Sequence, residues 1–180
     1  MKFRSKITKE FLLLFYNIIL NHEKSAKKAL IFLTERQVQV TLISDHIDTQ
    51  KCFTELLVSI LFMEYRIESQ SNNTILFEVI ISQLLKALSS GKYSITSLFK
   101  LVKRDNRPYL CFETKANESI LSVDVIHDIP IKLMKSTDIA YHMPPIVSPP
   151  SVALDLPKGK LSMIIINLSI ILMGCWLIYE

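Results

Sequence analysis

An α+β fold with a largely antiparallel sheet is what this sequence predicts, and three observations predict it. Val38, Val40 and Leu42 alternate with Gln37, Gln39 and Thr41, the period-two pattern of a half-buried strand. Residues 81–88 switch to helical spacing, with apolar side chains three and four apart. The strand-like runs are bunched between two helical segments rather than alternating with them one for one, which is the order of an α+β domain.

The elements follow in chain order. Residues 1–7 start extended. Thr8 then stands as a helix N-cap before a block at 11–20, where Phe11, Leu14, Phe15 and Ile18 share one face. Residues 29–33 are a continuous apolar run, and Glu35-Arg36 is a tight turn into the alternating strand at 37–42. Strands are also expected at 52–58, 64–68 and 74–79, with a polar loop at 69–73. The second helix sets Ile81, Leu84, Leu85 and Leu88 against Gln83 and Lys86, and Ser89-Ser90-Gly91 closes it, glycine being a usual helix stop. Ile95, Phe99 and Leu101 belong to the next strand, and residues 104–108 turn the chain into another at 109–113. Leu121, Val123 and Val125 alternate with Ser122 and Asp124, and Pro130, which has no N–H to give, is expected to end that ladder.

Composition excludes more than it selects. With 180 residues, 49% hydrophobic and 21% charged, the chain packs one domain, or one and part of another, and is not wholly disordered. The 21 Lys and Arg against 17 Asp and Glu leave +4. That surplus permits an acidic partner without demanding one. Cys52, Cys111 and Cys175 are far apart and form no CxxC pair, so they read as reduced, buried thiols. His22, His46, His127 and His142 are equally scattered. No HExxH, Walker loop, GxGxxG or GxSxG occurs, and three glycines hardly build a phosphate cradle. No catalytic residue, metal site or cofactor is expected.

Two apolar blocks bear on membranes. The block at 11–20 follows Lys2, Arg4, Lys6 and Lys9, as a secretory signal would. Glu10, Asn17 and His22-Glu23-Lys24 contradict that reading, and a buried helix fits better; the sequons at Asn72 and Asn117 are of a kind chance supplies. Residues 161–179 carry no charge. As a helix they would span about 28 Å, near the hydrocarbon thickness of a bilayer. Lys158 and Lys160 on one flank, with Trp176 and Tyr179 on the other, complete the pattern of a tail anchor. Before this block, Met143-Pro144-Pro145-Ile146-Val147-Ser148-Pro149-Pro150 is stiff and extended, as inter-domain connectors are. The expected organisation is a first domain at 1–135 and a Pro-rich connector at 136–150. A first strand of a second unit then follows within 151–180, ahead of the hydrophobic helix.

Several of these strings resemble a known family. Met1-Lys2-Phe3-Arg4-Ser5-Lys6-Ile7, Leu85-Lys86-Ala87-Leu88 and above all His127-Asp128-Ile129-Pro130-Ile131-Lys132 resemble the Hus-family checkpoint protein, one subunit of the heterotrimeric nine-one-one DNA-damage clamp. The connector running into Val152-Ala153-Leu154-Asp155-Leu156-Pro157 is similar too. The resemblance implies a sliding-clamp (DNA clamp) domain, an antiparallel sheet with two helices on one face, plus an incomplete second domain. It implies a non-enzymatic nuclear platform that encircles double-stranded DNA without reading sequence. The implied partners are two other clamp subunits, a clamp loader, and repair-protein clients at the connector.

Phosphate attraction without base readout lets such a ring slide, and the resemblance puts the necessary lysines on or beside the helices: Lys9, Lys24, Lys27, Lys28, Lys86 and Lys92. It also implies a subunit interface on an edge strand at Leu121, Val123, Asp124, Val125 and Ile126, by backbone pairing with a neighbour. Two departures stand out. On the first helix, Leu12, Leu13, Tyr16 and Leu20 would look towards DNA where polar residues are wanted. The block at 161–179 also replaces an amphipathic helix of the family. The alternative reading is a tail-anchored membrane protein with a small cytosolic β-rich interaction domain.

Overall fold

The computed structural model describes residues 1–43, 52–115 and 124–135. In chain order the elements are β1 (Lys2–Thr8), α1 (Lys9–Glu23), β2 (Lys28–Leu33), β3 (Gln37–Ile43), β4 (Phe53–Leu57), α2 (Val58–Leu61), β5 (Glu64–Glu68), β6 (Ile75–Ile80), α3 (Ile81–Ser90), a 3-10 turn (Gly91–Tyr93), β7 (Thr96–Arg104), β8 (Arg107–Lys115) and β9 (Val125–Leu133). Leu121, Val123, the connector at 136–150, the unit at 151–180 and the apolar block at 161–179 lie outside the described residues. Among those described, no helix is long and apolar enough to cross a membrane.

The strands form one sheet in the order β4-β3-β2-β6-β9-β8-β7-β1-β5, every neighbouring pair antiparallel. Alternation along each strand decides which side is covered. Phe3 and Ile7, Ala29 and Ile31, Val38 and Val40, Phe77 and Val79, Leu110 and Phe112, and Ile129 and Ile131 all enter one core. Leu12, Phe15, Ile18 and Ile19 of α1 and Ile81, Leu84, Leu85 and Leu88 of α3 enter the same core, so both helices cover the same face. Three rings tie the layers together. Phe99 stacks tilted on Phe112 at 4.7 Å and meets Phe15 of α1 edge-on at 6.3 Å, arrangements that favour aromatic pairs.

The turns form where the local chemistry is suited to them. Asn72 and Asn73, and Asp105 and Asn106, take φ between 48° and 62°, the left-handed region that Asn and Asp tolerate better than most side chains. Thr34 closes the β2–β3 hairpin, its hydroxyl accepting from the Gln37 and Arg36 N–H groups at 3.0 and 3.2 Å. At the start of α1, Thr8 has the extended backbone of an N-cap (φ −78°, ψ 165°), yet its hydroxyl makes no cap bond and is buried without a partner. The Lys9 N–H donates instead to the Ile95 carbonyl at 3.1 Å.

Two expectations need correction and one needs refinement. Residues 52–58 are not all strand: β4 ends at Leu57, and Val58–Leu61 close a helical turn, with the Val58 N–H donating to the Arg36 carbonyl at 2.9 Å. Pro130 ends the ladder with β8, as expected, but not the strand. β9 runs through it, pairing with β8 from Val125 to Pro130 and with β6 from Ile131 to Leu133. The proline stands where one strand changes neighbours, so its missing N–H falls at the seam rather than inside a two-sided ladder. Finally, α1 is turned differently about its axis: Leu12 is fully buried while Leu14 is 38% exposed.

Candidate nucleic-acid interface

The helix layer is built by α1 and α3 packed against each other and running in opposite directions. The start of α1 lies over the end of α3, because Gly91 approaches the Leu12 side chain. At the other end, the Ile81 N–H donates to the Lys27 carbonyl at 3.0 Å. His22, buried in the last turn of α1, puts Nε2 within 2.9 Å of Thr54 Oγ1 on β4, fixing the helix to the far side of the sheet.

The outward side of this layer carries Lys9, Glu10, Leu14, Asn17, Asn21 and Glu23 on α1, and Ser82, Gln83 and Lys86 on α3. Leu12, expected here, is in the core, and Leu13, Tyr16 and Leu20 are half-buried. A run as uniformly apolar as residues 11–20 leaves the phase of the helix to tertiary packing. The Asn17–Asn21 pair, four residues apart, is the sequence signal that marks the solvent side.

The lysines divide between the two faces. Lys9 and Lys86 are exposed on the helices. Lys24 caps the C-terminus of α1, where a cation complements the helix dipole, and Lys27 is exposed in the turn that meets the start of α3. Lys92 lies half-buried in the 3-10 turn with Nζ 3.7 Å from the centre of the Tyr16 ring, a cation–π contact that keeps its charge on the layer. Lys28 does not belong with these. It has the same alternation as Leu30 and Phe32, which point away from the helices, and it pairs with Glu78 at 2.9 Å on that opposite face.

Five ion pairs of the described residues join side chains on neighbouring or near strands: Lys2–Glu68, Lys6–Glu64, Lys28–Glu78, Lys100–Glu113 and Arg104–Asp128. All ten partners alternate outward, away from the helices. None of them is Lys9, Lys24, Lys27, Lys86 or Lys92. The sheet face therefore pairs five of its cations, leaving Arg4 and Arg66 outside these pairs, while the helix face sets five lysines against Glu10 and Glu23.

Of the expected subunit interface, the described residues are Asp124, Val125 and Ile126. The sheet ends at β4 and β5, and β9 is the fifth of nine strands. Val125 and Ile126 pair with Thr114 and Glu113 of β8, and Ile126 is 58% exposed. Among the described residues the β6 ladder reaches β9 only at Ile131, so the stretch before it has a ladder on one side. Asp124 is exposed just ahead of the strand.

Of the three cysteines, Cys52 and Cys111 are free. The Cys111 thiol is pushed up to about 12, chiefly by burial and then by a hydrogen bond and the negative charge of Asp128, so it stays protonated and unreactive. Among the described residues no cluster of His, Cys, Asp or Glu could hold a metal ion.

The family model described as "Hus1-like protein" matches residues 1–165. The chain belongs to the Hus1-like family. Among its curated relatives, this Hus1-like chain is 30% identical over 162 residues to the checkpoint protein hus1 homolog of Dictyostelium discoideum, covering 89% of the chain and 58% of that protein. It is 24% identical to checkpoint protein hus1 of Schizosaccharomyces pombe, covering 88% and 54%. The chain thus spans little more than half the length of the relatives it matches. Among solved structures, PCNA from Thermococcus kodakaraensis superimposes with a TM-score of 0.55 at 17% identity, over 83% of this chain and 51% of that one. The H. pylori beta clamp gives 0.51 at 12%, over 72% and 31%. The fold of the Hus1-like chain is a sliding-clamp domain.

His22 gives the domain a pH dependence whose sign is fixed. Burial lowers its pKa below the ordinary 6.5, so the unfolded chain binds the proton more readily than the folded one. Stability is then full above pH 6.5 and declines as pH falls from there towards the folded-state value. Thermal melts from pH 8 to 5 should show this decline, and His22→Gln, which keeps a partner for Thr54, should flatten it. An unchanged slope would remove His22 as the cause.

Proposed function

We propose that residues 1–135 form the first domain of a checkpoint-clamp subunit, which joins two other clamp subunits in a ring that a clamp loader places around duplex DNA. It acts in the nucleus as a non-enzymatic platform for damage signalling and repair, with client proteins met at the connector, 136–150. The observation that carries this reading is the charge asymmetry of the sheet. On the outer face five cations are paired with carboxylates, Arg4 and Arg66 standing apart, while on the helix layer none of Lys9, Lys24, Lys27, Lys86 and Lys92 joins an ion pair of the described residues, and they stand beside amide and hydroxyl side chains. Such a surface attracts phosphates through charge and offers no fixed fork aimed at base edges, as a sliding ring requires. The one-sided stretch of β9 at Val125 and Ile126, with Asp124 just ahead of it, supports a role in pairing with a neighbouring subunit through backbone hydrogen bonds.

Lys86 has the clearest position, midway along α3 and opposite its buried face. Lys86→Glu should leave the melting temperature unchanged. At low salt it should weaken binding to duplex DNA about five- to tenfold, and lower the slope of log affinity against log salt by about 1. The loss should be the same for duplexes of unrelated sequence. Undiminished affinity would exclude Lys86, and undiminished affinity in a Lys24→Glu, Lys27→Glu, Lys86→Glu triple variant would overturn the interface as a whole.

A further inference from the structure

The outer face of the sheet carries a second charged feature, unrelated to the helix layer. Along the β1–β5 ladder the outward positions oppose one another as Lys2 and Glu68, Arg4 and Arg66, then Lys6 and Glu64. The first and third are ion pairs. The middle one sets two arginines directly opposite, an arrangement that costs stability in an antiparallel sheet. Both arginines are exposed and neither takes part in an ion pair of the described residues. Lys100, the neighbour of Arg4 on β7, extends the row but is occupied by Glu113. A surface concavity of about 470 Å³ opens along Arg4, Lys6, Glu64 and Arg66.

We propose that Arg4 and Arg66 form an anion clamp on the outer face that takes one phosphorylated serine or threonine of a partner protein. Two guanidinium groups supply the fork geometry and the charge that a single phosphate dianion needs. The surroundings favour a local dianion over a polyanion. Glu64 and Glu68 stand on either side along β5, each paired with a lysine of β1, so the uncompensated positive charge is confined to the one position where the two arginines meet. β5 is also an edge of the sheet, so an extended peptide has free backbone groups along which to lie.

The test uses the full chain and a peptide pool with one fixed phosphoserine and randomised flanks, alongside the same pool unphosphorylated. Fluorescence anisotropy should show binding of the phosphorylated pool only, at least tenfold weaker in Arg66→Gln and in Arg4→Gln. Both variants should melt at or above the wild-type temperature, because each removes a like-charge contact. Equal binding of the two pools, or wild-type affinity in both variants, would overturn the clamp. So would a loss of duplex-DNA affinity in Arg66→Gln as large as its loss of peptide affinity, since the pair would then belong to a nucleic-acid surface. Lys86→Glu, which reads the helix layer, should leave peptide binding intact.

Discussion

Phe112→Ala should lower the unfolding free energy by about 3–5 kcal/mol, as removal of a large buried aromatic commonly does. Phe112 is fully buried and sits at the centre of the sheet, in register with Phe99 on one side and His127 on the other. Its ring lies against Phe99, which in turn meets Phe15 of α1 and Phe62 after α2. Deletion of the ring empties the space beneath the junction of both helices, and rigid aromatic neighbours collapse into such space poorly. Urea denaturation should show the midpoint falling at constant m-value. A loss below about 1 kcal/mol, far under the range for such deletions, would mean that the helices are not seated on this ring.

Gly91→Ala should cost about 1–3 kcal/mol, as overpacking of a filled core does. The backbone at Gly91 has φ −82°, which alanine adopts freely. On conformational entropy alone the substitution would stabilise by about 0.4–1 kcal/mol. Space decides the sign. A Cβ at Gly91 would stand 2.6 Å from Leu12 Cδ2, 2.8 Å from Phe112 Cζ and 3.0 Å from Ser97 Oγ. Leu12 is itself fully buried and Phe112 is held by Phe99, so the helix end must lift. Adding Phe112→Leu to Gly91→Ala should cost less than the two single losses combined, the coupling expected of touching residues. Strict additivity, or a stabilised Gly91→Ala, would show that α3 does not approach the sheet so closely.

The strands were legible because one face of the sheet is covered and the other is not. Glu64–Glu68 and the alternation at Gln37–Ile43 show in the sequence as they stand in the fold, and Ile81, Leu84, Leu85 and Leu88 announced the buried side of α3. The failures have separate physical causes. In α1 the apolar residues are too continuous to fix a phase, so its rotation is settled by the His22–Thr54 bond and the contact at Gly91, both between residues distant in sequence. Lys28 looks helix-associated by position, but a strand begins at it and alternation turns it outward. Pro130 ends one ladder without ending the strand, because pairing with a different strand on each side of one proline is a property of the sheet, invisible in a local window. The lysines of the helix layer were legible as positive charge; that five cations of the other face would be paired was not, because ion pairs across strands depend on register.

β9 has a consequence for how this domain is made. Of the described strands it is the last to be synthesised, yet it takes the middle place in the sheet, between β6 and β8. Until Leu133 has been synthesised, the hairpin half built on β2 and β3 and the half built on β1, β7 and β8 have no strand in common. The nascent chain must therefore hold both halves open, with Ile129 and Ile131 still missing from the core, until one late segment slots in and completes the wall.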